Sequence, residues 1–171
     1  MKIVTIFEDH LYSFQYEKEM NNELDRLLEQ WNDILYLYEF VSQNISDVNR
    51  SKSISNVMDE ILENTYKIDE TIVEISKNPN KLNEFFRPLS NQEFLLIELS
   101  KQKARRNYLR LYAIRIDTNC FVITGGAIKF HHLNHERKHT QLEMEKLNKC
   151  RDYLKANNVF DSDSFYELIK D

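Results

Sequence analysis

Four of the chain's five histidines, His131, His132, His135 and His139, fall within nine residues. Imidazole titrates near neutrality, so such a cluster suits proton transfer to or from a reacting oxygen. His131, His135 and His139 recur every four residues and align only if the segment is helical. Glu136 is the one carboxylate among them, which is too few ligands of zinc-site type, so no metal is expected. The other reading is a polar loop that carries histidines without using them. Just upstream, Arg110 alternates with Tyr108 and Tyr112 on a strand-like run, and Arg115 has the opposite parity. A guanidinium between two aromatic rings can hold a phosphate while a ring stacks on a base. It can equally be an aromatic core face whose Arg pairs with an acid of the first helix. Lys101, Lys103, Arg105 and Arg106 precede this run and Lys129 follows it, enlarging the positive charge.

The only two glycines, Gly125 and Gly126, are adjacent at the end of an apolar strand. Either a bulge that curves a small sheet or close approach of a ligand explains the pair. No Walker or Rossmann glycine pattern exists, so no nucleotide cofactor is expected.

These residues must be held by regular elements. Ile3, Val4, Ile6 and Phe7 read as a strand that Leu11–Tyr16 continues or pairs with. Leu24, Leu27, Leu28, Trp31, Leu35 and Tyr38 have helical spacing over residues 21–40. Ile54, Val57, Met58, Ile61, Leu62, Thr65, Ile68 and Ile72 mark a second helix, ended by Asn78-Pro79-Asn80. The two form an acidic helical hairpin over residues 20–76. Phe85–Leu89, containing Arg87, is extended or turning. Ser90–Glu93 has capping-box spacing for a short helix through Leu99. Tyr108–Ile116 and Cys120–Thr124 form a hairpin about Asp117-Thr118-Asn119. Thr140–Glu143 and Ser164–Glu167 are further capping boxes that open a closing helix and a short tail helix. The expected class is α+β: one domain over residues 1–171, with a small curved antiparallel sheet, an N-terminal helical hairpin and a C-terminal helix.

Charge is unevenly spread. Residues 1–100 carry a net −10, residues 101–151 a net +8 and residues 152–171 a net −3. A polyanion partner at the basic segment accounts for this, as does neutralisation of the basic sheet by acidic helices folded over it. With 42% hydrophobic and 12% aromatic residues the chain buries a core, which excludes wholesale disorder. Only 2 Gly and 2 Pro exclude linker-rich and collagen-like architectures. No apolar run reaches membrane length, the first residues lack a secretory pattern, and Cys120 and Cys150 are isolated. A cytoplasmic protein without membrane contact is expected.

The order of elements over residues 105–156 resembles the C-terminal half of HigB-like toxins of the RelE/ParE superfamily. An Arg-bearing strand (Leu109-Arg110-Leu111-Tyr112), a turn, an apolar strand ending in Gly-Gly-Ala-Ile-Lys129, the polar stretch His135-Glu136-Arg137-Lys138-His139-Thr140 and an amphipathic helix follow in sequence. The resemblance implies a compact fold with helices on one side of the sheet. It implies endoribonuclease activity on ribosome-bound mRNA, without cofactor, silenced by an antitoxin protein; the alternative is a non-catalytic interaction or nucleic-acid-binding protein with a toxin-like fold. It puts Arg110 and Lys129 against the RNA. His131, His132 or His135 would then move the proton, while Arg87, Lys103, Arg105, Arg106, Tyr112, Arg137 and Lys138 would bind RNA. The chain departs from the family by its acidic hairpin and by Lys129-Phe130, where paired lysines are usual.

Overall fold

The computed structural model describes residues 1–48, 51–90, 92–93, 98–130 and 136–170; side-chain positions over 136–140 lie outside it. Much of the Ser90–Leu99 segment and all of residues 131–135 therefore lie outside the described residues. The strands are β1 (Lys2–Phe7), β2 (Leu11–Gln15), β3 (Arg87–Pro88), β4 (Ser100–Arg106), β5 (Leu109–Asp117) and β6 (Cys120–Ile128). They form one sheet in the order β1-β2-β6-β5-β4-β3. The α+β class and the curved sheet hold. One pairing differs from an all-antiparallel sheet: β2 runs parallel to β6, Leu11 to Ser13 facing Phe121 to Ile123, so the sheet is mixed. Residue spacing within the N-terminal hairpin carries no information about a distant partner strand, so the parallel pairing is not legible in it.

The helices are α1 (Glu23–Asn32), α2 (Ile34–Asn44), α3 (Ile54–Lys77), the single turn α4 (Leu82–Phe85), α5 (Glu136–Ala156) and α6 (Ser162–Lys170). The helix expected over 21–40 is broken at Asp33. Its backbone is extended (φ −81°, ψ 107°), it closes α1, and its side chain accepts the Tyr36 N–H to start α2. In α3 the buried row is Val57, Ile61, Thr65, Ile68, Ile72 and Ile75, the stripe legible in the sequence. The closing helix starts at Glu136 rather than Thr140. The tail helix is capped not by Ser164 but by Asp161, whose carboxylate accepts the Ser164 N–H.

Helices cover both faces of the sheet, not one. Leu27, Trp31, Leu37, Val57 and Ile61 from α1–α3 pack on Leu109, Leu111, Ala113, Phe121 and Ile123. On the other face Leu147, Cys150 and Leu154 of α5 and Phe165 of α6 pack on Tyr12, Phe14, Tyr112, Ile114 and Val122. The central strand β5 is thus buried on both sides, as its nearly continuous apolar run requires. Among the described residues no helix is long and apolar enough to cross a membrane.

The two glycines also resolve. Neither has positive φ. A Cβ on Gly126 would lie 2.5 Å from the Arg110 carbonyl oxygen and 2.8 Å from Leu27 Cδ1. One on Gly125 would collide with the Glu143 carboxylate. The β5–β6 register slips beside them, Tyr112 facing Gly125 and Ala113 facing Ile123, which bulges β6 at Thr124. Bulge and close approach therefore coexist, and the approaching groups belong to the chain itself.

Candidate nucleic-acid interface

The run Ser100–Arg106, whose charges enlarge the positive segment, is a strand whose alternation sorts them. Ser100, Gln102 and Ala104 are buried, whereas Lys101, Lys103 and Arg105 point to the α5 side of the sheet. Register carries the row onward. Arg87 of β3 faces Lys103, Lys103 faces Tyr112, and Arg105 faces Arg110. Arg110 faces Ala127, and Lys129, just past the end of β6, lies near enough to act on the Lys103 charge. Six cations and one tyrosine thus share one face of β3–β6. No Asp or Glu occurs between Lys101 and Ile116 or between Cys120 and Lys129.

The electrostatics record the crowding. Burial, then the charges of Arg110, Lys129 and Arg105, push the Lys103 ammonium below its ordinary pKa. Arg87 and Arg105 are exposed, and Lys103 and Lys129 half-buried. Arg110 is only 4% exposed, and its Nη1 donates to the carbonyl oxygens of Asn107 (2.5 Å) and Leu109 (3.0 Å). Tyr112 is 2% exposed, a core ring rather than a stacking platform.

Two further assignments change. Arg106 faces the other way, across from Leu109. Tyr108 does not flank Arg110, because its ring packs on Phe130 (5.1 Å) and its hydroxyl accepts from Lys52 on the α3 side. Arg115 opposes Arg110, as parity requires. His131, His132 and His135 lie outside the described residues, as do the side chains of Arg137 and Lys138 at the start of α5.

The acidic hairpin does not neutralise this face. Residues 20–76 carry a net −8, yet α1–α3 pack on the opposite side of the sheet. Among the described residues the two charge systems meet past the point where β2 stops pairing with β6. There Glu23 of α1, 1% exposed, receives a two-pronged bond from Arg26 (2.6 and 3.0 Å) and an ion pair from Lys146 of α5. Burial opposes its ionisation, but Arg26 and Lys146 outweigh burial and hold it below the ordinary carboxylate range. Glu143, one turn before Lys146, sits 3.3 Å from that ammonium. Its carboxyl is pushed up by burial and by Glu23, against Lys146 and Arg26. Tyr16 donates to the Thr124 carbonyl (2.5 Å), and Lys146 lies 5.0 Å above its ring. Sequence reasoning missed this cluster. Its only trace is the i, i+3 spacing of Glu23–Arg26 and Glu143–Lys146, which any solvated helix can show.

Burial raises both thiols to about 12, so Cys120 and Cys150 are inert side chains of the core. Comparison with protein-family models, curated proteins and solved structures finds no match to this chain.

Proposed function

We propose that the chain binds single-stranded RNA on the β3–β6 face and cleaves it as a metal-independent endoribonuclease of RelE/HigB type. The observation that supports this reading is the row of six like-charged side chains on one sheet face, on strands that carry no acidic residue there; Glu93 and Asp152 act on Lys101 at one end of it. Like charges so placed repel one another, and a polyanion relieves the repulsion by releasing its own counterions. Arg87, Lys103, Arg105 and Lys129 are the solvent-reaching members and contact phosphates. Arg110, clamped by backbone carbonyls, supports them with its charge from beneath.

Cleavage needs the ribose 2′-oxygen to attack phosphorus while the bond to the 5′-oxygen breaks, leaving a cyclic phosphate. Lys103, made more acidic by its surroundings, gives the leaving oxygen its proton. Arg105 and Lys129 balance the charge that builds on the phosphorane oxygens. His131, His132 or His135, a few positions beyond Lys129, takes the 2′-hydroxyl proton. An antitoxin protein would silence the activity by laying acidic residues along the same row. The burial of Arg110 and Tyr112 favours a second reading, RNA binding without cleavage, since neither side chain is left to engage a substrate.

The test is a labelled single-stranded RNA incubated with the protein in chelator, with and without ribosomes, alongside Lys103→Ala and Lys129→Ala. Under the ribonuclease reading cyclic-phosphate ends form and each variant reduces the rate by about 100-fold or more. Intact RNA with salt-sensitive binding supports the second reading, and absence of binding overturns both.

A further inference from the structure

A cavity of about 250 Å³ opens where the acidic helices, α5 and the part of β6 beyond its pairing with β2 meet. Trp31 and Tyr36 wall it, Ala127 lies on its floor, and Arg26, Gln30 and Glu143 bring polar groups to it. The Phe40 ring also lines the cavity, stacked on Tyr36 at 6.0 Å and 22°, so that side is aromatic. Glu143 is only 9% exposed; its Oε1 accepts from Lys146 (3.3 Å), and among the described residues its Oε2, turned onto Gly125, accepts no hydrogen bond. The Lys146 ammonium, 3.3 Å from that oxygen, supplies charge but lies off the bonding direction. A buried carboxylate oxygen without a donor is costly unless something supplies one. Gly125 holds its place open, since any side chain there would displace that oxygen. Along the floor Ala127 faces Arg110, and Lys129, two residues on, belongs to the basic row. A strand lying on that row therefore passes the mouth of the cavity.

We infer that this cavity receives a single guanine base of the bound RNA, with Glu143 reading its Watson–Crick edge and Tyr36 stacking on its plane. The inference rests on the RNA-binding reading above and deepens it. Guanine alone offers two adjacent N–H donors, N1–H and the 2-amino group, to one carboxylate, and a side-chain rotation that lifts Oε2 off Gly125 while Oε1 keeps Lys146 brings both oxygens to that edge. Adenine, cytosine and uracil each present a single donor group on that edge. The Arg26 guanidinium, tied to Glu23 through Nε and Nη2, complements the O6 and N7 acceptors of guanine. Aromatic walls supply stacking that any base would enjoy, so discrimination falls to Glu143.

Trp31 is the chain's sole tryptophan, so its fluorescence reports the cavity directly. The experiment titrates the full chain with GMP, IMP, AMP and ribose 5-phosphate. GMP is expected to quench Trp31, with IMP, which lacks the 2-amino group, weaker by about tenfold or more. Glu143→Gln removes the GMP-over-IMP preference, and Gln30→Ala, at a half-buried helix position, weakens GMP binding severalfold. Equal quenching by all four compounds overturns the inference, as does no quenching or an unchanged preference in Glu143→Gln. Fluorescence anisotropy of short RNAs separates the two readings. Salt-sensitive RNA binding without any guanine preference sinks the pocket alone. GMP quenching without RNA binding sustains the pocket and sinks the RNA reading.

Discussion

Glu23 and Glu143 lie within reach of the same ammonium, yet their surroundings push them in opposite directions. Glu23 is held ionised by Arg26 and Lys146. The stability it provides is present above the ordinary carboxylate pKa of about 4.3 and lost as pH falls through its lower folded value. Glu143 has a raised folded pKa. Its contribution is present below about 4.3 and lost as pH rises through the higher folded value. Substitution should separate them. Glu23→Gln leaves Arg26 and Lys146, only 28% and 26% exposed, without their shared carboxylate and should cost about 3 kcal/mol in urea unfolding at pH 7. Glu143→Gln should raise stability by about 1 kcal/mol at that pH, the signature of a residue kept for something other than folding. Guanine affinity should fall on acidification through the raised Glu143 pKa, before Glu23 titrates. Glu23, Arg26 and Lys146 are the charged groups that face Glu143 and set that window.

Among the elements, β6 is the most constrained, and its two glycines serve different neighbours. Gly126→Ala sets a methyl against the Arg110 backbone oxygen and Leu27. Neither has room to yield, so the change should cost about 2–3 kcal/mol. Gly125→Ala meets only the far ends of the long Glu143 and Lys146 side chains, which can shift while keeping their ion pair, so stability should change less than for Gly126→Ala while GMP quenching is lost. Equilibrium denaturation of both variants with the Trp31 titration checks the pair. The elements also show where sequence reading reaches. The stripe of α3 is a local pattern and is read directly, whereas the capping residue Asn22, whose side chain accepts the Asp25 N–H, goes unread. Asp33 is hidden because a cap inside an unbroken apolar repeat interrupts no periodicity. The basic run of β4 is readable by charge, but not as a strand. Alternation of Lys with Gln and Ala gives too weak an apolar signal until the register with β5 shows what Gln102 and Ala104 bury against. Lys103 and Lys129 are legible as cations. Glu143 and Trp31 are not legible as neighbours, since one belongs to α5 and the other to α1 and no local spacing links them.

Taken whole, the molecule is a charged sandwich with its acidic helices on one side of the sheet and its basic row on the other. A net charge of −5 conceals that separation. RNA affinity should therefore fall steeply with salt despite the acidic total. Each of Arg87→Ala, Lys103→Ala and Arg105→Ala should lower the slope of log K against log salt by about 0.7, the single-strand value per phosphate contact. Anisotropy titrations at several ionic strengths measure this, and slopes unchanged in all three variants would mean that the row touches no phosphate.

The parallel pairing of β2 with β6 also orders events during synthesis. Ser13 waits for Ile123, most of a chain length later, before its strand has a second neighbour. An isolated two-stranded hairpin is marginal in water, so β1–β2 emerges from the ribosome with nothing to hold it. Contacts this distant pay loop-closure entropy first and slow the final step of folding. Until β5 and β6 arrive, the α1–α3 helices have only one another to pack against, and their apolar stripe stays partly bare. If the mature protein is toxic, that order delays the hazard: the cavity shared by α1 and α5 and the complete sheet come together only when nearly the whole chain has been made.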